Sequence, residues 1–441
     1  MSAPVASRLA AIETVLLDLI PRLSPAPNRR GRPEILPGAL LWTGLLVCLL
    51  RHTASQQGLW RLLSQSGLWH FPRVPVTAEA VRIRLDRRGP AVLEQLFVDV
   101  TAELAVTWPG DATLASFATG VYALDESTLD AVARTLPTLR DVPVGDDRLL
   151  PGKLCTAFDL RRQQFATVLT TDTPRQNERV AARDLLATLP IGSLIVADLG
   201  YFGFRWFDDL TDGGYHFVSK LRQKTSVEVV HGLAQGSTPH GPVRDELVWL
   251  GTYRADRAKH LVRRVTVPVG RTTHVYLTNV LDPAVLPITE LVRLYARRWD
   301  IEQAFKLVKR DLGLHLLWSA KWELVLTQVW GVLLLAQIAS ALRAEVARRA
   351  GIDVREVSLT LLLRDLPLLV RDHGPAVLDR LATLPVTKGG YLRPSRAAER
   401  PVPDPGPVTP PPADLITVRT PRYAGRNAGP NGIERRHQGA R

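Results

Sequence analysis

RQNERVAARDLLATLPIGSLIVADLGYFGFRWFDDLTDGGYHFVSKLR, residues 175–222, decides the fold. RQNERVAARDLLATLP has helical spacing, SLIVADLG reads as a buried strand, FRWFDDL as a short helix and YHFVSKLR as a further strand. Strands that alternate with helices pair in parallel, with helices covering the sheet. Upstream, ASFATGVYALDES and KLCTAFDLRRQQFATVLTTD, the latter with a turn at Arg161 to Gln163, add three short strands rich in β-branched and aromatic residues. The order β-β-β-α-β-α-β predicts an α/β fold built on a mixed sheet. Downstream, VEVVHG, DELVWLG, HLVRRVTVPVG and THVYLTNV predict an all-β insertion over about 224–285. Helices resume at PITELVRLYARRWDIEQAFKLVKRDLGL.

Working outward gives four regions. Residues 1–110 show apolar residues at spacings of three and four, broken at Pro and Gly, and predict a helical N-terminal domain whose Arg side chains suit DNA. Residues 111–345 hold the sheet and its insertion, and 346–400 are again helical. Nine of the last 41 residues are Pro and apolar residues are sparse there, so 401–441 reads as a Pro/Arg-rich disordered tail.

The 441 residues exceed what one core organises, and 46% hydrophobic residues allow sizeable cores. The net charge is +13, and 48 of the 56 cations are Arg. A GC-rich coding composition would explain Arg over Lys; the excess of cations itself points to a polyanion such as nucleic acid or a membrane surface. Cys48 and Cys155 match no metal-ligand spacing and fit a reducing compartment. Glu13 and Asp18 interrupt any export signal, so a cytoplasmic location is expected. The apolar runs Ile35 to Leu50 and Leu324 to Leu342 are read as buried helices rather than membrane spans, which need about 20 apolar residues.

The segment around Glu302 carries the most chemistry. At about 100° per residue, Tyr295, Arg298, Glu302 and Lys309 fall at roughly 0°, 300°, 340° and 320° on one helix. The apolar stripe through Ile301, Phe305 and Val308 lies directly beside them, where a groove next to the sheet would be. An ordinary amphipathic helix with a Glu302 to Lys306 pair is the competing reading. Asp125 ends the apolar run GVYAL and Asp198 ends SLIVA, so both stand at the carboxyl ends of predicted strands. Each could simply cap the next turn. Together with Glu302 they form a hard-oxygen set suited to two Mg²⁺ ions and to in-line phosphoryl displacement.

The spacing of Tyr295, Arg298, Glu302 and Lys309 resembles the Tyr-Arg-Glu-Lys (YREK) signature of a large branch of bacterial DDE insertion-sequence transposases. LIVADLGY around Asp198, and LTNVLDP before ITELVRLYARRWDIEQAFK, are similar to that branch as well. The resemblance spans about residues 30–345. It implies an RNase H-like catalytic core with Asp125, Asp198 and Glu302 as catalytic and metal-binding residues, two Mg²⁺ ions, and Mn²⁺ able to substitute. It also implies double-stranded DNA as partner, both element ends and target, with a synaptic homodimer formed on DNA, and possible passage through a hairpin intermediate. One departure stands out: Glu126 follows Asp125 where the branch has a small residue. Asp125 is kept as the ligand because Glu126 would face the opposite side of the strand, with Asp130 as the fallback.

Two further features are weaker. Arg30-Gly31-Arg32-Pro33 matches the core of a minor-groove hook. Trp299 could stack on an extruded base or merely pack. No His spacing suggests zinc and no Gly loop suggests ATP. A decayed transposase that only binds DNA is the alternative function. A glycoside hydrolase would also use paired carboxylates, but the cations beside Glu302 favour phosphate.

Overall fold

The computed structural model describes residues 35–67, 73–129, 141–143, 152–171, 178–238, 241–251, 256–269, 272–319, 321–365, 376–394 and 404–423. The chain divides into two compact units: Met1–Asp111, Glu126–Gln176 and Asp300–Ala398 form the first, and Ala112–Asp125, Asn177–Trp299 and Glu399–Arg441 the second.

The strands are β1 (Val121–Thr128), β2 (Lys153–Asp159), β3 (Gln164–Thr171), β4 (Leu194–Val196), β5 (His216–Lys220), β6 (Val227–Thr238), β7 (Gly241–Leu250), β8 (Val262–Val269) and β9 (Thr272–Thr278). They line up as β3-β2-β1-β4-β5-β9-β8-β7-β6. β2 and β3 are antiparallel, whereas β1, β4 and β5 run parallel. This is the mixed sheet expected, and the order 3-2-1-4-5 is that of an RNase H-like core. Leu194, Ile195 and Val196 are completely buried, as a parallel strand covered on both faces must be.

In the second unit, the expected β-rich insertion is present as β6 to β9. It is not a separate layer: β9 pairs antiparallel with β5, so the insertion prolongs the core sheet. Without β9, β5 would present a row of unpaired backbone donors and acceptors, which edge strands must avoid. Arg263 of β8 and Asp245 of β7 form a fully buried bidentate pair at 2.7 Å, and Arg263 also donates to the Leu286 carbonyl.

The same unit overturns the expectation of a disordered tail, at least over residues 404–423. The Thr409 N–H donates to the Leu233 carbonyl at 2.7 Å, and the Leu261 N–H donates to the Thr417 carbonyl at 2.8 Å. The Arg419 guanidinium lies 4.5 Å from the Trp249 ring and donates to the carbonyls of Leu250, Gly251 and Ala258. Tyr423 donates to the buried Asp208 carboxylate at 2.8 Å. Leu415 packs on a cluster of Leu233, Leu247, Trp249 and Leu261. A Pro-rich strap needs no apolar periodicity when neighbouring backbone satisfies it and a single Leu and Arg anchor it.

In the first unit the helices α1 (Gly38–Leu50), α2 (Gln56–Arg61), α3 (Ala78–Arg88) and α4 (Ala91–Thr107) precede the sheet. They do not form a domain of their own. α1 and α4 pack against a 29-residue helix, Trp322–Ala350, numbered α9 below because α5 to α8 precede it in the chain. Phe97 meets Trp330 at 5.3 Å between ring centroids. A Cβ at Gly331 would stand 2.6 Å from a Leu49 methyl, so glycine permits this approach. α9 is long and apolar enough to cross a membrane, but most of it is buried inside this unit. Gln337 in its middle is satisfied by the Phe165 backbone and the Thr101 hydroxyl, the way a core helix handles a polar residue. Gly351, left-handed at φ 67°, ends it. Beyond it, α10 (Val377–Ala382) packs with Leu342, Val346 and Val357.

Candidate active site

The two aspartates stand differently on their strands: Asp125 lies inside β1, three residues before its end at Thr128 rather than at the expected strand end, and Asp198 lies two residues past the end of β4. β1 and β4 pair Val121 with Leu194 and Ala123 with Val196, an offset of 73 positions. Asp125 and Asp198 differ by the same 73. The pairing ends at Ala123 and Val196; the same offset continued two residues further would bring Asp125 and Asp198 opposite each other. Both are half-buried at the end of fully buried runs, where a carboxylate must find partners. One oxygen of Asp198 accepts from the Gly200 N–H at 2.7 Å, capping the short 3₁₀ turn Leu199–Tyr201. The capping role foreseen for such a residue is thus real, and it fixes how the carboxylate is turned.

Glu126 is occupied elsewhere. Its carboxylate takes the Lys153 ammonium at 2.9 Å and the Cys155 thiol at 3.3 Å, both on β2, and the Glu126 and Lys153 side chains are only 8% and 11% exposed. Strand alternation, which sends Glu126 away from Asp125, accounts for the departure at this position. Asp130 lies outside the described residues, as do Arg30 and Arg32.

The expected single helix through Glu302 is three pieces. Numbering continues with α5 (Glu178–Ala187), α6 (Phe204–Asp212), α7 (Ile288–Arg297) and α8 (Trp299–Lys306), followed by a π-helical turn, Leu307–Asp311. At the α7–α8 joint the Arg298 N–H bonds back three residues to Tyr295. At the far end the Leu312 N–H bonds back five, to Leu307. One turn is tightened and the next widened, so the uniform 100° arithmetic does not carry from Tyr295 to Lys309. Tyr295, Arg298 and Trp299 belong to the second unit, and Glu302 and Lys309 to the first.

Within the first unit, α8 is held by both its faces. Ile301 and Phe305 are buried, with Phe305 5.9 Å from Phe165. Asp300 accepts from Gln163, whose carbonyl accepts from Arg343. Gln163 sits at φ 58° in the β2–β3 turn, where its backbone is strained to aim its amide. Glu302 and Lys309 are half-buried, and Lys309 lies 5.6 Å from the Phe305 ring.

Within the second unit, Arg298 stands 6.0 Å from the Tyr295 ring and 5.9 Å from that of Trp299, which is 55% exposed. The same Tyr295 ring carries Lys220 at 5.1 Å. Arg222 lies over Phe202 and donates to the Leu199 carbonyl, beside Asp198. Sequence reasoning missed Lys220 and Arg222. They end the run YHFVSKLR as Asp198 ends SLIVA, and attention to strand-end residues of either charge would have found them. Burial, and then the Arg298 charge, push the Lys220 ammonium below its ordinary range.

Among the described residues no group of three His, Cys, Asp or Glu is gathered to hold a metal ion. The candidate donors Asp125 and Asp198 are hard carboxylate oxygens, of the kind that bind divalent metal ions.

Residues 149–338 match the family model described as a transposase DDE domain. Asp198, Tyr295, Arg298, Glu302 and Lys309 fall inside that match, and Asp125 precedes it. A curated relative, the Escherichia coli (strain K12) transposase InsG for insertion sequence element IS4, is 28% identical over 208 residues. That alignment covers 44% of this chain and 45% of the relative, so the chain spans less than half the length of the protein it matches. A cryo-EM structure of a piggyBac transposase synaptic complex with hairpin DNA aligns with a TM-score of 0.41 and 9% identity, covering 86% of this chain and 80% of that one.

Proposed function

We propose, from the premise that residues 149–338 are a DDE transposase domain of the bacterial insertion-sequence kind, that the chain is a transposase of the Tyr-Arg-Glu-Lys branch. In this reading it binds the terminal inverted repeats of its element, cleaves DNA strands there and joins them to target DNA, acting in the cytoplasm on the nucleoid. The observation that supports the reading is the parallel register of β1 and β4, whose offset of 73 is also the spacing of Asp125 and Asp198. With Glu302 they would hold two Mg²⁺ ions, for which Mn²⁺ would substitute; such ions activate the attacking water or 3′-hydroxyl and stabilise the leaving oxygen.

The side chains around them do the rest. Asp198 presents one oxygen while the other is turned by Gly200. Arg298 and Lys309 grip phosphates of the strand being cut, since neither can ligate a cation. The Tyr295 ring, 6.0 Å from the Arg298 guanidinium, would steady it. Trp299, half out in solvent, offers a ring on which an extruded base stacks. Arg30 and Arg32 enter the minor groove of the element end. Two copies hold two ends together on DNA.

The test uses a duplex carrying the inverted repeat that flanks the gene. Glu302→Gln, Asp125→Asn and Asp198→Asn should each abolish Mg²⁺-dependent cleavage while leaving DNA affinity within a fewfold of wild type. Cleavage by Glu302→Gln above a trace would sink the assignment.

A further inference from the structure

The parallel register extends from β1 through β4 to a third strand, β5. β4 pairs Leu194 with His216 and Val196 with Val218, and the Ala197 N–H still donates to the Val218 carbonyl. Two residues beyond Val218 is Lys220, the last residue of β5, so the same register continued past Val196 would align Asp125, Asp198 and Lys220 across β1, β4 and β5. Two carboxylates are thus followed by a cation on the next strand. Lys220 also pairs across β5 and β9 with Tyr276, whose ring lies 5.1 Å from Tyr295. Tyr295 in turn is shared by Lys220 at 5.1 Å and Arg298 at 6.0 Å.

Two cations brought to one ring repel each other, and aromatic contact recovers only about 0.5–1 kcal/mol apiece. A phosphate is drawn to two cations held this close. The anion in question must also tolerate two carboxylates in the same row. A phosphodiester would do so if divalent metal ions held by the carboxylates offset their charge, whereas a free carboxylate ligand would have no reason to seek the row.

The geometry points to Lys220 as a phosphate-binding residue of the DNA strand being processed, gripping the phosphodiester next to the scissile one together with Arg298. This rests on the transposase reading and extends it to a residue on the sheet itself, outside the helical segment that carries Glu302. It also gives the Tyr295 ring a purpose, as the platform that holds both cations at fixed spacing.

Lys220→Met keeps the length of the side chain and removes its charge. With the inverted-repeat duplex, its plot of log affinity against log salt should flatten by about 0.9, the value of one lost phosphate contact, while Lys220→Arg should restore the slope. A wild-type slope and affinity for Lys220→Met would overturn the inference. In the wild-type protein, the same duplex should protect Lys220 from an amine-acylating reagent, read by mass spectrometry, which needs no variant to fold. Equal labelling with and without DNA would overturn it too. Asp198→Asn run alongside separates the two levels: if it is dead in cleavage while Lys220→Met is normal in every respect, only the inference falls, whereas full cleavage by Asp198→Asn brings down the transposase reading itself.

Discussion

Glu126→Gln distinguishes a structural carboxylate from a catalytic one at adjacent positions. At 2.9 Å, and with an effective dielectric of about 20, the attraction between Glu126 and Lys153 is about 5.7 kcal/mol, offset in part by the cost of taking both charges out of water. Gln keeps the shape and an acceptor for the Lys153 ammonium but removes the charge that Glu126 sets against a cation only 11% exposed. Deleting one partner of such a pair typically costs about 3–5 kcal/mol. The variant should therefore unfold at markedly lower urea concentration, and Glu126→Gln combined with Lys153→Met should recover most of the loss. Below its unfolding transition, the folded single variant should still cleave DNA in Mg²⁺ at a rate close to wild type, because its side chain lies on the far face of β1 from Asp125. Undiminished stability together with loss of cleavage would refute the reasoning, and would make Glu126 the first carboxylate of the site in place of Asp125.

Two further perturbations follow from contacts that hold the units together internally. Burial pushes the Glu345 carboxyl up, but hydrogen bonds from Arg348, Arg349 and Trp108 outweigh it and hold its pKa at about 2 against an ordinary 4.5. Its contribution is complete above 4.5 and is lost as pH falls from there toward about 2; Glu345→Gln should flatten that stretch of a plot of unfolding free energy against pH, and an unchanged plot would contradict the network. In the strap, Tyr423→Phe removes one of three donors to Asp208 and should cost about 1 kcal/mol in guanidinium unfolding, with Arg419→Ala costing more because both its ring contact and its carbonyl partners go. Wild-type stability for Arg419→Ala would mean the strap is not anchored there.

What the sequence made legible was whatever local pattern specifies. SLIVADLG and YHFVSKLR read correctly as buried strands because unbroken apolar runs ending in a charge have few other uses, whereas the strand of GVYALDES runs on through Asp125 to Thr128, which its apolar run alone does not reveal. The α7–α8 joint escaped because nothing at Arg298 breaks a helix: its φ and ψ are helical, and only the hydrogen-bond register slips. The π turn at Leu307–Asp311 is equally silent, being a matter of bond partners rather than residue type. The separate helical body expected over residues 1–110 is, in its described part, α1 to α4 packed into the first unit, because α1 is apolar on nearly every side and its partner, α9, lies almost 300 residues away in the chain. Removing 1–110 would strip that partner's cover, so a truncation cannot report on DNA recognition alone. Residues 404–423 misled because composition measures what a segment can bury by itself, whereas this one borrows the backbone of β6 and β7.

The strap also sets a timetable. Arg419 and the Leu250 carbonyl it caps are 169 residues apart, which at translation rates of about 5–20 residues per second is roughly 8 to 34 seconds of synthesis. Throughout that interval Trp249, Leu247 and the outer backbone of β6 are made but uncovered, a sticky edge on a nascent chain. Cells that slow translation downstream of codon 250 lengthen the exposure, and those that supply a holdase shorten its consequences. Yield of soluble protein should accordingly depend on codon choice across a stretch that carries neither the strap nor the strands it protects.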